Sequence, residues 1–169
     1  MPRKSDTSRS KFAKGFTAVE FAAVSSVFFL LLFGVMDYAW MFFAQMNVQQ
    51  AVDDGGRFAS TGNHTTVVSN GTPTTLSRLQ SIITQIQNQI SVPGVDVQSN
   101  LVVCSANGGC SNAGGSAPAG GPGDTVTLTL TTSLPVFTPA LKALFSGGAY
   151  TFTASTSFKN EPFNPSQTN

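Results

Sequence analysis

Charge is scarce in this chain: eight acidic and nine basic residues among 169, a tenth of the total, against roughly a quarter in ordinary soluble domains. What charge exists is uneven. Arg3, Lys4, Arg9, Lys11 and Lys14 against Asp6 give the first fourteen residues a charge of +4, so the remainder carries −3 of the net +1. No basic stripe follows residue 14, which argues against a nucleic-acid partner. The single histidine, His64, stands in a polar Asn63-His64-Thr65 stretch with no serine or cysteine constellation around it, so nucleophilic catalysis has nothing to work with. Two cysteines and that histidine fall short of the four ligands a structural zinc requires. The glycines of 108–123 hold no Gly-x-x-x-x-Gly-Lys phosphate motif, and the acids are too scattered for a catalytic pair. The composition predicts a non-enzymatic protein with no cofactor and no metal.

What the chain does have is one long apolar run. From Phe16 to Met36 the only ionisable side chain is Glu20. Those 21 residues make roughly 31 Å of helix, against a hydrocarbon core of about 30 Å. Asp37, at the far end, is placed to meet water, and Tyr38 and Trp40 follow as an outer aromatic belt would. The basic end is held on the cytoplasmic side by the positive-inside rule. A cleaved secretory signal would have a shorter apolar core ending in a small-x-small site, and no such pair follows Met36.

Helical patterning outlasts the span. Met41, Phe42, Ala44, Val48, Ala51 and Val52 keep one apolar face, while Gln45, Asn47, Gln49, Gln50, Asp53 and Asp54 take the other. Residues 16–60 are therefore expected as one helix of roughly 67 Å, weakened at Gly55-Gly56 and ended by Gly62-Asn63. Residues 61–73 form a polar loop in this reading. A second, amphipathic helix begins near Thr72-Pro73-Thr74, carries Leu76, Leu79, Ile82, Ile83, Ile86 and Ile90 as one stripe, and stops at Val92-Pro93-Gly94. Alternation predicts strands over Asp96–Val103, Asp124–Thr132 and Tyr150–Phe158, with a short helix over Thr138–Phe145.

The expected fold class is α+β: a long N-terminal transmembrane helix, then a small head with one amphipathic helix on a short antiparallel sheet. The expected divisions are 1–15 as leader, 16–60 as spanning and projecting helix, 61–160 as head, and 161–169 as a loose tail. Outside the cytoplasm an oxidising compartment favours a disulfide between Cys104 and Cys110. The alternative is a pair of free thiols.

A lone carboxylate in an apolar span marks a functional site by default. If a peptidase cuts after Gly15, Phe16 becomes a free amino terminus and Glu20 lies one helical turn beyond it. A neighbouring subunit's N-terminal ammonium could then neutralise Glu20 and set the register between two helices. The bland alternative is that Glu20 reaches back to the cytoplasmic interface and does nothing further.

These residues carry a resemblance. Gly15-Phe16-Thr17-Ala18-Val19-Glu20-Phe21-Ala22, the phenylalanine- and leucine-rich run, Gly34-Val35-Met36-Asp37, Gln45, Ala51 and Gly56-Arg57 together resemble the TadE-like family, minor pilins or pseudopilins of tight-adherence (Flp) pili. The resemblance implies cleavage between Gly15 and Phe16 by a prepilin peptidase and an assembly role for Glu20. It also implies a single pass through the bacterial inner membrane, N-terminus cytoplasmic and head periplasmic. Its partners would be that peptidase, other pilins or pseudopilins, and the pilus assembly machinery. Two departures stand out: Ser26 where members often carry proline, and Asp53-Asp54-Gly55 where they are usually alanine-rich. A membrane-anchored envelope accessory or binding protein outside the filament is the other reading.

Overall fold

The computed structural model describes residues 9–69, 72–112 and 119–164. The chain divides into two compact units, Met1–Ala39 and Trp40–Asn169. Helix α1, Arg9–Ser60, contributes to both. It is already helical at Arg9, seven residues before the expected Phe16. Of the expected leader, residues 1–8 lie outside the described residues, and 9–15 are seen only as helical backbone.

In the first unit α1 is apolar on every side from Phe16 to Met36, apart from Glu20 and a few small polar residues, and its large side chains are exposed. Among the described residues it is the one helix long and apolar enough to cross a membrane. Phe28, Phe29 and Phe33 form a ring series along it, with centroids 5.7 and 6.2 Å apart. The Ser26 hydroxyl donates to the Ala22 carbonyl at 2.8 Å, so this polar group is satisfied within the helix and needs no lipid-side partner.

The second unit is α+β. Its elements after α1 are strands β1 (Thr66–Ser69) and β2 (Thr72–Thr75), helices α2 (Arg78–Gln89) and α3 (Val97–Asn100), and strands β3 (Leu101–Ser105), β4 (Gly109–Asn112) and β5 (Thr125–Pro135). Helix α4 (Pro139–Lys142), a 3-10 turn (Ser146–Gly148) and strand β6 (Ala149–Lys159) complete it. Among the described residues, four strands form an antiparallel sheet in the order β4-β3-β5-β6, and β1-β2 form a separate antiparallel ribbon. Strand β5 alternates strictly. Val126, Leu128, Leu130 and Leu134 are buried while Thr125, Thr131 and Ser133 face water, the pattern of a sheet with one wet face. Across β5 and β6 that wet face is a double row of hydroxyls, with Thr127 bonded to Ser157 and Thr131 to Thr153.

The core corrects the expected boundary at residue 60. Ala44, Val48, Ala51, Val52 and Ala59 of α1 are buried in one cluster with Ile82, Ile83 and Ile86 of α2 and with Leu101, Val103, Leu128, Leu130 and Phe152 of the sheet. Residues 40–60 therefore belong to the head. The Gly55-Gly56 pair is not a weak point in this arrangement. A Cβ on Gly55 would lie 2.3 Å from Ile86 Cγ1, and one on Gly56 2.8 Å from Thr156 Cγ2. The two glycines let α1 approach α2 on one side and β6 on the other. Residues expected on the solvent face also bind inward. Gln49 Nε2 donates to the Ser155 carbonyl of β6 at 3.0 Å, and Asn47 Oδ1 accepts from the Ser91 amide at 2.9 Å.

Three local readings are corrected. Residues 61–73 are not all loop, and Pro73 does not open a helix. It sits in β2 opposite Val68, in a two-stranded ribbon whose outer edges require no amide donor. Helix α2 starts later, where the Ser77 side chain accepts from the Gln80 amide. Over Asp96–Asn100 the expected strand is one turn of helix, because Asp96 caps it by accepting from the Ser99 amide at 3.2 Å. The tail is not wholly loose. The Glu161 amide donates to the Ser60 carbonyl at 2.9 Å and the Phe163 ring lies 4.5 Å from the Arg78 guanidinium carbon, while residues 165–169 lie outside the described residues.

Candidate processing and assembly site

Gly15, Phe16 and Glu20 fall on consecutive turns of α1. Phe16 and Glu20 are four residues apart, which puts them on one helix face about 6 Å apart along the axis. Both are exposed. Of Gly15 the structure gives only its place in the helical backbone. Nothing in the rest of the fold is needed to bring this trio together, since a single helix positions it. Chemically the trio offers one cleavable peptide and one acid. It holds no donor set for a metal and no nucleophile.

At the other end of the span Asp37 departs from its expected place in water. It is 4 % exposed and engaged in an interaction, as a buried carboxylate must be to offset its lost hydration.

Cys104 and Cys110 sit directly opposite one another on β3 and β4 and are joined by a disulfide. The bond closes the Ser105–Gly109 turn. That turn is also fastened to the start of β5: Asp124, buried, accepts from the Ser105 hydroxyl, from Asn107 Nδ2 at 3.0 Å and from the Thr125 amide at 2.9 Å. His64 has a structural contact of its own, its Nδ1 donating to the Leu76 carbonyl at 2.9 Å across the base of the β1-β2 ribbon.

The residue that sequence reasoning missed is Arg78. It is 1 % exposed, yet among the described residues its hydrogen-bond partners include no carboxylate. Nη2 donates to the Ala59 carbonyl at 2.7 Å and to Asn160 Oδ1 at 2.8 Å, and Nη1 donates to the Gly120 carbonyl at 2.5 Å. Nε is buried without a partner among the described residues, and burial holds the guanidinium below its ordinary pKa. At the first position of α2 a cation opposes that helix's own dipole, but its side chain reaches the negative end of α1. Arg57 lies in the last turn of α1 but is exposed, whereas Arg78 contacts the helix end directly through the Ala59 carbonyl. Gly62, at φ 69°, closes the same end, its amide donating to the Ala59 carbonyl at 3.2 Å. A signal for Arg78 was present in the sequence. It is one of few cations after the leader, and it opens an isoleucine stripe next to a capping serine.

These features define a class: a chain with one helix fit to cross a membrane, an acid near the start of that helix, and a disulfide-bearing α+β head. Residues 15–57 match the family model of TadE-like protein, the family that the Gly15–Arg57 motifs resemble. The match begins at Gly15, includes Glu20 and ends at Arg57, within α1 throughout. No curated protein and no solved structure matches the chain.

Proposed function

We propose that this chain is a minor pilin or pseudopilin of a tight-adherence pilus. In this reading a prepilin peptidase cuts between Gly15 and Phe16. The mature protein stays in the bacterial inner membrane by one pass until it assembles with other pilins and the pilus machinery. Its role is structural rather than catalytic. One observation carries the reading: the family match starts on the residue after which cleavage is expected and contains the single acid of the apolar segment. The disulfide supports a periplasmic head, because such bonds persist in oxidising compartments. The positive charge before Gly15 supports a cytoplasmic N-terminus.

Glu20 then has a mechanism. Cleavage creates an ammonium on Phe16, and a neighbouring subunit's ammonium pairs with Glu20 in the low-dielectric span. Mass spectrometry of protein recovered from the envelope tests the first step: a mature chain starting at Phe16 supports processing, and one retaining Met1–Lys14 refutes it. Glu20→Gln tests the second. It is expected to leave membrane insertion intact and abolish incorporation into pilus fractions. Normal incorporation would remove the pairing, and processed protein that never enters those fractions would favour the envelope-accessory reading.

A further inference from the structure

The connection between β5 and β6 is shaped unlike a solvated loop. It exposes Phe137 and Leu144, at 62 % and 77 %, and its one charged residue between Val136 and Gly148 is Lys142. It is also held in place. The Val136 amide donates to the Gly148 carbonyl at 3.2 Å, and Phe145 packs edge-on to Tyr150 at 6.1 Å. Phe137 stands edge-on to Trp40 with centroids 6.1 Å apart, and Trp40 lies 6.0 Å from Phe43, itself half exposed. Phe43, Trp40, Phe137 and Leu144 thus give the head an apolar, largely aromatic surface with one cation and no acid on the loop.

We propose that this surface rests in the interface of the bilayer that α1 crosses, so that the β5–β6 connection is a second membrane contact. The inference rests on the reading of Phe16–Met36 as a membrane span. Chain length does the rest. Trp40 follows Met36 by four residues of continuous helix, a rise of about 6 Å, against a headgroup layer roughly 5–7 Å deep. Trp40 and the Phe137 ring against it therefore lie at the headgroup zone. Tryptophan is also the side chain best suited to that zone, with an apolar body and an indole N–H that water or a headgroup can accept. Lys142 supplies the cation that favours anionic lipid phosphates. A protein partner seated on this surface would have to compete with lipid that the tether keeps beside it.

The chain's only tryptophan makes the test direct. In a Trp40→Phe background, Phe137→Trp moves the reporter onto the loop, Phe29→Trp into the span, and Val68→Trp onto the exposed β1-β2 ribbon. Full-length protein is reconstituted into phosphatidylethanolamine–phosphatidylglycerol vesicles containing lipids brominated high or low on the acyl chain. The expected result is a blue-shifted Phe137→Trp emission, quenched several-fold more strongly than Val68→Trp and more by the high bromines than by the low. Emission no more quenched than that of Val68→Trp overturns the proposal. So does a blue shift without bromine quenching that grows with protein-to-lipid ratio, which would assign the surface to a second copy. If Phe29→Trp also escapes quenching, the membrane span itself falls; if it is quenched while Phe137→Trp is not, only the second contact does.

Discussion

Replacing Arg78 with methionine removes a group that joins the end of α1 to two other segments of the head. Methionine fills much of the arginine stem's volume, so cavity formation contributes little. The cost arises at the acceptors. The Ala59 and Gly120 carbonyls and Asn160 Oδ1 all lose a charged donor, and hydrogen bonds of that kind contribute about 1.5–3 kcal/mol each before compensation. Two effects oppose the loss. The guanidinium no longer pays desolvation, and Ala59 keeps its bond from the Gly62 amide. Leaving a buried acceptor without a donor costs about 1–3 kcal/mol, and with both offsets counted we expect Arg78→Met to cost about 3 kcal/mol, a large fraction of the stability of a marginal domain. In a head of this size about 3 kcal/mol corresponds to a fall in melting temperature of roughly 10 °C, readable by calorimetry of the detergent-solubilised full chain. Arg78→Lys should fall between, since one ammonium cannot span three separated acceptors. A melting temperature unchanged or raised in Arg78→Met would refute the reasoning, showing that desolvation had outweighed the bonds.

Three further outcomes follow from the same structure. Gly55→Ala should destabilise the head by about 1–2 kcal/mol, because overpacking against Ile86 exceeds the gain in helix propensity; in a double-mutant cycle Ile86→Ala should absorb much of that penalty, and additive effects would disprove the contact. Cys104→Ser with Cys110→Ser should cost roughly 2 kcal/mol by the loop-entropy estimate and raise hydrogen exchange first in β4; unchanged exchange there would show that the Asp124 bonds alone hold the turn. The Ser99 hydroxyl and amide hold the Asp96 carboxyl below its ordinary value of 3.8, so the cap's contribution is fully present above that value and is lost as pH falls through the lowered pKa. Faster exchange at the Ser99 amide on acidification below about 4, and no such pH response in Asp96→Asn, is the expected readout.

Much of the architecture was legible because it rests on periodicity. The apolar run to Met36, the isoleucine stripe of α2 and the Thr-Val-Thr-Leu alternation of β5 each bury or expose what their spacing dictates. What was not legible depended on meeting partners distant in sequence. Gly55-Gly56 weakens a helix taken alone and only becomes favourable once Ile86 and Thr156 lie against it. Gln49 looks solvated until β6 offers the Ser155 carbonyl. Pro73 at a helix start and Pro73 in a ribbon are both allowed locally, although the Asn70-Gly71 pair between two Thr- and Val-rich stretches was a hairpin signal that outweighed it. Gly15, Phe16 and Glu20 depend on no distant partner for their placement, since they lie within one short stretch of a single helix.

Because Trp40–Ser60 furnishes much of the buried surface of the head, no seam exists between residues 60 and 61 at which the head can be cut free. A fragment starting at Thr61 would leave Ile82, Ile83 and Ile86 uncovered, a composition prone to precipitate. Any excised head has to begin near Trp40, and so carries the C-terminal turns of α1 with it. The C-terminal third of α1 is thus a structural wall of the head, and shortening it would unroof the isoleucines of α2.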